Sequence, residues 1–302
     1  ALFFVDYLID DGTGKLVTCP SVSPENRYIL PDGFDTPVCA GPAMDNQILR
    51  ALFDACLQSV EILGLDEPLA EDFRRCAEKL PENKIGSNGQ LLEWREEVPE
   101  LTPGMGHISH LWGAYPGDEI NWKDTPDLWE AVRRSLDIRV ENGAGDHGWP
   151  AAWYICQYAR LLDPVKTESF IRTLLAQSAK KNLFNARGVF QIDGNLGGLA
   201  GMAEALLQSH LGVLHLLPAL PPAWKQGSVQ GMKARGGYTV DIAWKDGKLT
   251  EATVSAIKDG TLEVYGEELT VICNGQQLPV QKTAHGFSFP VKEGCTYQLC
   301  AN

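Results

Sequence analysis

The spacing of the apolar residues changes once along the chain, at the proline-rich segment LPALPPAW (217–224). Before it, between residues 44 and 211, apolar residues recur every three or four positions, which is typical of amphipathic helices. After it, GGYTVDIAW and LTEATVSAI alternate apolar and polar residues around the turn sequence KDG, which predicts an antiparallel hairpin. The sequence therefore predicts a mainly α chain, residues 1–224, followed by a small antiparallel all-β domain, residues 225–302.

The helical part is divided by start and stop signals. Gly64 predicts a C-terminal cap for the first long helix, and Pro68, Pro126 and Pro164 predict the first turns of three others. Longer loops rich in Gly and Pro separate the helices, which indicates an α/α toroid or an open portion of one. The predicted helices cover 45–63, 66–80, 125–136, 149–162, 164–179 and 197–211.

Charge and apolar content exclude several classes of partner. A formal net charge of −13 disfavours nucleic acid and anionic membranes, because phosphate binding requires a basic face. No apolar run reaches the 18 residues that a membrane-spanning helix needs. The eight cysteines are scattered without a CxxC pair, which is unlike a zinc site or a dense disulfide framework and favours a reducing compartment.

The first ten residues, ALFFVDYLID, carry neither an initiating Met nor a signal peptide. Their apolar residues have the spacing of the last turns of an amphipathic helix that is already under way. We therefore expect the sequence to be a fragment of a longer protein, so that an extracellular location stays open.

Two carboxylates lie in loops, where a helical scaffold usually carries its functional residues. Glu25, in CPSVSPENRYILP (19–31), follows a proline that favours extended backbone; it is either an exposed turn residue or a general acid. Asp193, in FQIDGNLGG (190–198), directly precedes an apolar helix and is either a helix cap or a catalytic base; Asn195 is also a possible cap. Together the carboxylates supply the pair that glycoside hydrolysis usually needs.

An aromatic residue beside a carboxylate marks a further candidate site. Glu93 and Trp94 end the segment IGSNGQLLEW (85–94). The ring can stack on a sugar while the carboxylate accepts hydrogen bonds from hydroxyl groups. The alternative is an amphipathic segment whose tryptophan belongs to the core.

Histidines occur in two loops. His107 and His110, in GMGHISHLWGAYPG, are three residues apart, as metal ligands on one helix face are. Since no third ligand follows at a recognisable offset, we favour a hydrogen-bonding or capping role and expect neither metal nor cofactor. Asp146 and His147, in GAGDHGWPAAW, either reach a ligand or cap the helix that follows.

Taken in order, these stretches resemble the C-terminal part of glycoside hydrolase family 95, the α-L-fucosidases and their relatives that act on α-L-galactosides. The resemblance covers nearly the whole chain. Its motifs are SPEN, MDNQILRALF, IGSNGQLLEW, HISHLWGAYPG, TPDLWEAVRRSL, GWPAAW, NLF, FQIDGNLGGLAGMAEALLQSH, LLPALPPAW and ARGGYTVDIAW.

The resemblance implies the later half of an (α/α)6 barrel followed by the β domain, and an inverting enzyme. Glu25 would be the general acid, and Asp193 would be the basic carboxylate, acting through asparagine side chains that hold the attacking water. Those asparagines belong to an earlier barrel segment of the family, which is absent from this sequence. The residues assigned to substrate binding are Glu93, Trp94, His107 and Asn195.

The expected partner is an oligosaccharide or glycan that carries terminal α-1,2-linked L-fucose. Half a toroid would expose apolar faces, so we expect a missing N-terminal segment or a second copy to cover them, and we expect the fragment alone to be nearly inactive. Two other activities stay open at this point, an α-L-galactosidase on the same scaffold and a carbohydrate-binding or structural module without chemistry. A metal-dependent hydrolase that uses His107 and His110 is a more distant alternative.

Overall fold

The computed structural model describes residues 1–301, apart from the side chain of Arg187. The chain divides into two compact units, residues 1–146 and the residues from 147 onward, and each is described by itself. These units are defined by compactness, whereas the predicted boundary at residue 224 separates the helical part from the β part; that boundary stays a prediction.

The first unit is built on two long helices and two shorter ones. Gly64 ends the second helix in the left-handed conformation (φ 61°), as its position in the sequence predicts. Pro126 begins the fourth helix, where its missing N–H costs nothing. The helices are α1 (Leu2–Tyr7), α2 (Ala43–Leu63), α3 (Ala70–Lys79) and α4 (Pro126–Glu141).

The loop between α1 and α2 is folded by short antiparallel pairs. β1 pairs with β2, β3 with β6, and β4 with β5. Beneath it, α2 and α3 pack through stacked Phe53 and Phe73, whose ring centroids are 5.9 Å apart. The strands are β1 (Ile9–Asp10), β2 (Leu16–Val17), β3 (Ser21–Val22), β4 (Tyr28–Ile29), β5 (Asp35–Thr36) and β6 (Val38–Cys39).

Three helices open the second unit, and glycines allow two of them to approach closely. A Cβ atom at Gly201 of the third would lie 2.4 Å from Cγ2 of Ile155 and 3.0 Å from the backbone nitrogen of Cys156. The glycine face is therefore a packing surface. The helices are α5 (Gly148–Arg160), α6 (Pro164–Thr173) and α7 (Ile192–Leu206), and a π-helical turn, Leu174–Ser178, follows α6.

The rest of the unit is an all-β domain of antiparallel sheets. One sheet has the order β11-β12-β13-β19-β15-β16 and a second has the order β14-β18-β17, with an apolar core that includes Val240, Val254, Phe287 and Leu299. Its strands are β11 (Gln226–Ala234), β12 (Tyr238–Lys245), β13 (Lys248–Ala256), β14 (Gly260–Tyr265), β15 (Thr270–Cys273), β16 (Gln276–Gln277), β17 (Gln281–Lys282), β18 (Gly286–Val291) and β19 (Thr296–Cys300). Two separate short pairs lie before and after α7, namely β7 (Ala186–Arg187) with β8 (Val189–Phe190) and β9 (Leu207–Gln208) with β10 (His215–Leu216).

The predicted fold class, a helical region followed by an all-β domain, is confirmed. The predicted hairpin is β12 and β13, joined at Asp246 and Gly247, which both have positive φ. Among the described helices, none is long and apolar enough to cross a membrane.

Some predicted helix boundaries are wrong. α3 begins at Ala70 instead of 66, because Pro68 lies in a turn before the helix. The last helix begins at Ile192, five residues before the predicted start, and ends at Leu206. Its glycines, normally weak helix formers, pack against α5, so tertiary packing overrides propensity there.

Candidate active site

The SPEN turn of the first unit presents Glu25 to solvent between two buried neighbours. The Glu25 side chain is 77 % exposed, whereas Ser23 and Asn26 are fully buried. The Asn26 backbone N–H donates to the Ser23 carbonyl at 2.8 Å and closes the turn. A carboxyl group in this position is available to a ligand, while its supports are not.

Glu93 holds both ends of this turn. The hydroxyl of Ser23 donates to Glu93 Oε1 at 2.6 Å, and the Asn26 amide donates to Glu93 Oε2 at 3.0 Å. The Glu93 side chain is only 2 % exposed. The predicted direct contact between Glu93 and a sugar does not fit this burial, because its two oxygens already accept hydrogen bonds inside the protein.

Arg139 of α4 neutralises Glu93. Its guanidinium donates to Glu93 Oε2 at 2.7 Å and also pairs with Glu100, which accepts a further bond from Asn26 at 3.0 Å. Burial raises the pKa of Glu93, and the positive charge of Arg139 acts in the opposite direction. Arg139, Glu100, Ser23 and Asn26 were not predicted as site residues.

One sequence signal could have found Arg139. It follows Val132 and Leu136 at helical spacing, so it lies on the apolar stripe of α4 and is itself buried. A charged residue on a buried stripe requires a buried partner of opposite charge. The sequence contains several acidic candidates, and spacing alone does not select among them.

Trp94 is mostly buried, as the alternative interpretation of its motif expects. Its indole ring packs against the Tyr28 ring, with centroids 5.2 Å apart, and it borders a cavity of about 310 Å³ that also touches Lys15 and Arg95. The sugar-stacking prediction for Trp94 does not fit a ring that is covered in this way.

His107 lies beside the candidate acid. Its Nε2 atom is 3.7 Å from Oε2 of Glu25, and burial lowers its pKa, partly opposed by Glu25 and by a hydrogen bond with the Pro24 backbone. In the 3₁₀ turn that follows, Ser109 donates its hydroxyl to the Pro24 carbonyl at 2.5 Å. The structure therefore brings His107 and Glu25 together, as a shared site requires.

His110 points elsewhere. Its side chain is buried, Nδ1 lies 3.5 Å from Glu93 Oε2, and burial lowers the pKa of the imidazole well below its ordinary value. Across residues 1–301, no group of three or more His, Cys, Asp or Glu side chains is arranged to hold a metal ion. His107 therefore lies beside the exposed Glu25, whereas His110 lies beside the buried Glu93.

Asp193 lies in the second unit, in the first turn of α7, and is exposed. The helix dipole favours a negative charge at that end. Asn195, two residues on, accepts a hydrogen bond from the Asn185 backbone N–H at 2.8 Å and donates to the Leu183 carbonyl at 2.9 Å. Its amide secures the preceding loop, and the direct contact of Asn195 with a sugar stays a prediction.

Two further candidates flank the start of α5. Asp146 is exposed, and His147 occupies the capping position without a side-chain capping bond to the helix. His147 is therefore the N-cap of α5, which begins at Gly148, and contacts of Asp146 and His147 with a ligand stay predictions.

Each of the two units thus carries one exposed candidate carboxylate, Glu25 in the first and Asp193 in the second, and glycoside hydrolysis usually uses a pair of carboxyl groups. The model of the glycosyl hydrolase family 95 catalytic domain matches residues 1–206, and that of the family 95 C-terminal domain matches residues 208–299. The chain therefore belongs to glycoside hydrolase family 95.

Similar proteins carry fucosidase names. Alpha-L-fucosidase 2 of Arabidopsis thaliana is 35 % identical over 267 residues, which cover 82 % of this chain and 31 % of that protein. Probable alpha-fucosidase A of Aspergillus oryzae is 27 % identical over 86 % of this chain and 38 % of the relative. The corresponding protein of Aspergillus niger is 28 % identical over 83 % and 34 %. The chain spans about a third of the length of these relatives.

A solved structure supports the fold alone. A putative kojibiose phosphorylase from human microbiome superposes with a TM-score of 0.54 at 10 % identity, over 99 % of this chain and 42 % of that one. At this identity the likeness carries no information on substrate.

Proposed function

We propose that the protein to which this chain belongs is an inverting α-L-fucosidase that releases terminal α-1,2-linked L-fucose from glycans. The observation that carries the proposal is the SPEN turn, which holds an exposed Glu25 between two buried, hydrogen-bonded neighbours. The names of the family relatives favour fucose as the sugar.

In this proposal Glu25 is the general acid. It donates its proton to the glycosidic oxygen as the bond to the fucose C1 breaks, so that the leaving alcohol departs neutral. The carboxylate of Asp193 is the basic partner, which acts through asparagine side chains supplied by further chain and orients a water molecule. The water adds to C1 on the opposite face, and its proton passes to the base, so the α-glycoside yields the β-sugar.

His107 is proposed as a substrate contact next to Glu25, since it is the predicted binding residue that lies beside the candidate acid. Glu93 and Trp94 are not retained as direct contacts, because the Glu93 oxygens accept hydrogen bonds within the protein and the Trp94 ring packs against Tyr28. Asn195 is kept as a proposed contact. This leaves the sugar pocket to be completed by other residues.

The second unit exposes a group of large apolar side chains that other residues would have to cover. Leu183, Val189 and Leu196 are 72 %, 71 % and 61 % exposed, together with Phe184, Phe190, Ile192 and Leu199 nearby in sequence. Soluble proteins rarely leave so many large apolar side chains uncovered. We propose that a preceding segment of the same polypeptide, or a second copy, covers them, and that the 302-residue chain alone is nearly inactive.

An α-L-galactosidase is the second candidate, because L-galactose differs from L-fucose by one hydroxyl at C6. The ratio of kcat/KM for the two α-L-glycosides in the complete polypeptide separates these activities. A carbohydrate-binding module without chemistry is the third, and it predicts binding of the glycan without turnover.

The test uses Glu25→Gln and Asp193→Asn in the complete polypeptide, with a 2′-fucosylated oligosaccharide as substrate. Each substitution should lower kcat by about 10²- to 10⁴-fold, since each removes a proton-transfer group. Glu71→Gln, an exposed glutamate paired with Arg74 on α3, is the matched control and should retain full activity. Proton NMR of the first-formed product should show β-L-fucose. Undiminished turnover in both variants, or α-L-fucose as first product, contradicts the proposal.

A further inference from the structure

We propose that Glu93 is a positioning residue for Glu25: its buried carboxylate, held by Arg139, clamps both ends of the SPEN turn and thereby aims the acid. This inference rests on the proposed function of Glu25 as general acid. It replaces the direct sugar contact predicted for Glu93 with an action through another residue.

The clamp is bidentate. One oxygen of Glu93 binds the residue two positions before Glu25 and the other binds the residue directly after it, at 2.6 and 3.0 Å. Because a single rigid carboxylate receives both bonds, the separation of Ser23 from Asn26 is set by the geometry of that group. Neither side chain can turn away without breaking a buried hydrogen bond.

The clamp is paired with a cation. Its donors at Oε2 are the Asn26 amide and the Arg139 guanidinium, and neither can accept a proton from a carboxylic acid. Arg139 also bonds the Pro103 carbonyl at 3.1 Å, so the cation is fixed from two sides. A neutral amide in place of Glu93 would lose the charge that pairs with Arg139, and with its oxygen toward Asn26 and Arg139 its NH2 group would face Ser23, whose hydroxyl would have to accept instead of donate.

A third support acts on the residue next to the acid. The Ser109 hydroxyl donates to the carbonyl of Pro24, the residue bonded directly to Glu25. Glu25 itself is exposed, so the packing around its own side chain contributes little to its direction. Its orientation therefore depends on the backbone, and the backbone depends on Glu93 and Ser109.

Misplacement of an acid by about 1 Å can reduce a rate by about 100-fold. For Glu93→Gln we expect kcat on a glycan with an alcohol leaving group to fall about 10- to 100-fold, with KM nearly unchanged. An α-L-fucoside of an electron-withdrawing phenol needs no protonation of its leaving group. Its kcat should therefore fall less than about 3-fold, which a merely structural lesion does not reproduce.

The experiment measures both substrates with the complete polypeptide carrying Glu93→Gln, Glu25→Gln or both. We expect the single variants to show the same leaving-group selectivity and the double variant to be no slower than Glu25→Gln. Equal losses of Glu93→Gln on both substrates, no loss at all, or additive losses in the double variant overturn the inference. If Glu25→Gln shows no leaving-group selectivity, the proposed function fails instead.

A milder pair of variants guards against misfolding of Glu93→Gln. Ser23→Ala removes one bond of the clamp, and Ser23→Thr retains the hydroxyl. Ser23→Ala should lose activity on the glycan selectively, by about 3- to 10-fold, and Ser23→Thr should restore most of it, in line with one lost hydrogen bond of about 1 kcal/mol. Equal activity of the two variants contradicts the clamp.

Discussion

His107 Nε2 lies 3.7 Å from Glu25 Oε2, and the two side chains differ sharply in exposure, at 22 % for the histidine and 77 % for the glutamate. Burial of the imidazole lowers the pKa of His107, and this effect exceeds the opposing influence of the nearby carboxylate. Near neutral pH the ring is therefore uncharged. It can offer a hydrogen bond to a sugar beside Glu25 without neutralising the acid through a permanent ion pair.

The first prediction concerns that pair. Because the Glu25 carboxylate raises the pKa of His107 against the effect of burial, Glu25→Gln should lower the pKa of His107 further. Titration of the His107 ring proton by NMR measures the change directly. Glu71→Gln, which removes a carboxylate paired with Arg74, should leave the His107 titration where it is. A rise on removing Glu25 would show that the two groups do not interact as the structure places them.

The sequence predicts a structural feature well when the interaction that determines the feature lies within a few residues of it. Gly64 and Pro126 end and begin their helices where predicted, because capping and proline geometry act within one turn. The start of α7 was predicted too late, because Gly194 and Gly197 in its first turns pack closely against Asn185 and Ala152, which come from elsewhere in the chain.

The candidate active site was likewise predictable only where the signal is local in sequence. Glu25, Asp193 and His107 stand out in sequence because each lies in a loop motif, and Glu25 and His107 are adjacent in the structure. Glu93 also stood out, but its buried environment comes from residues 46 to 70 positions away. Its change from a surface contact to a buried clamp follows from tertiary pairing with Arg139, which no spacing rule supplies.

The second prediction tests the α5–α7 contact. Gly201→Ala should destabilise the second unit by about 1–3 kcal/mol, because the new methyl group would meet Ile155, which is fully buried and has no free space to move. Gly197→Ala is the milder comparison, since a Cβ there would lie 3.1 Å from the Ala152 methyl, a tight contact that a small shift relieves, and both variants gain the same helix propensity of about 1 kcal/mol. Urea unfolding followed by tryptophan fluorescence gives both values. Equal midpoints for the two variants would contradict the close approach.

The third prediction is a loss of stability on acidification in the second unit. Burial lowers the pKa of His210 to about 3 and that of His215 to about 4, and Arg160 and Arg235 add to the effect at His210. The folded state disfavours protonation of both rings. Their contribution to the free energy of unfolding is therefore fully present above the ordinary histidine pKa of 6.5. It is lost as pH falls toward 4 for His215 and toward 3 for His210. Between these limits each histidine should lower the free energy of unfolding by about 1.4 kcal/mol per pH unit.

Urea unfolding between pH 7.5 and 5 measures that slope before most carboxylates titrate. The double variant His210→Gln/His215→Gln should show a smaller change of the free energy of unfolding with pH. Its stability at pH 7.5 is the reference value for that comparison. The His215 ring also packs at a tilt against Tyr265, with ring centroids 4.1 Å apart, so the stability of the double variant at pH 7.5 should itself be lower. An unchanged slope in the double variant would assign the acid sensitivity to other groups.

The last prediction concerns the apolar face of α7. Ile192, Leu196 and Leu199 follow one another at helical spacing and are 53 %, 61 % and 66 % exposed, so they form one stripe with little protein over it. We expect the 302-residue chain by itself to associate through this stripe in sedimentation velocity. Leu196→Lys/Leu199→Lys should abolish that association, because charged side chains cannot be buried without partners. The control, Ile62→Lys/Leu63→Lys, alters residues at the end of α2 that are at least as exposed and should leave association unchanged. In the complete polypeptide the α7 variant should lower both thermal stability and turnover, since the same stripe would then be covered. If the α7 variant of the complete polypeptide kept full stability and turnover, nothing would pack on this face, and the proposal that another segment or a second copy covers it would be wrong.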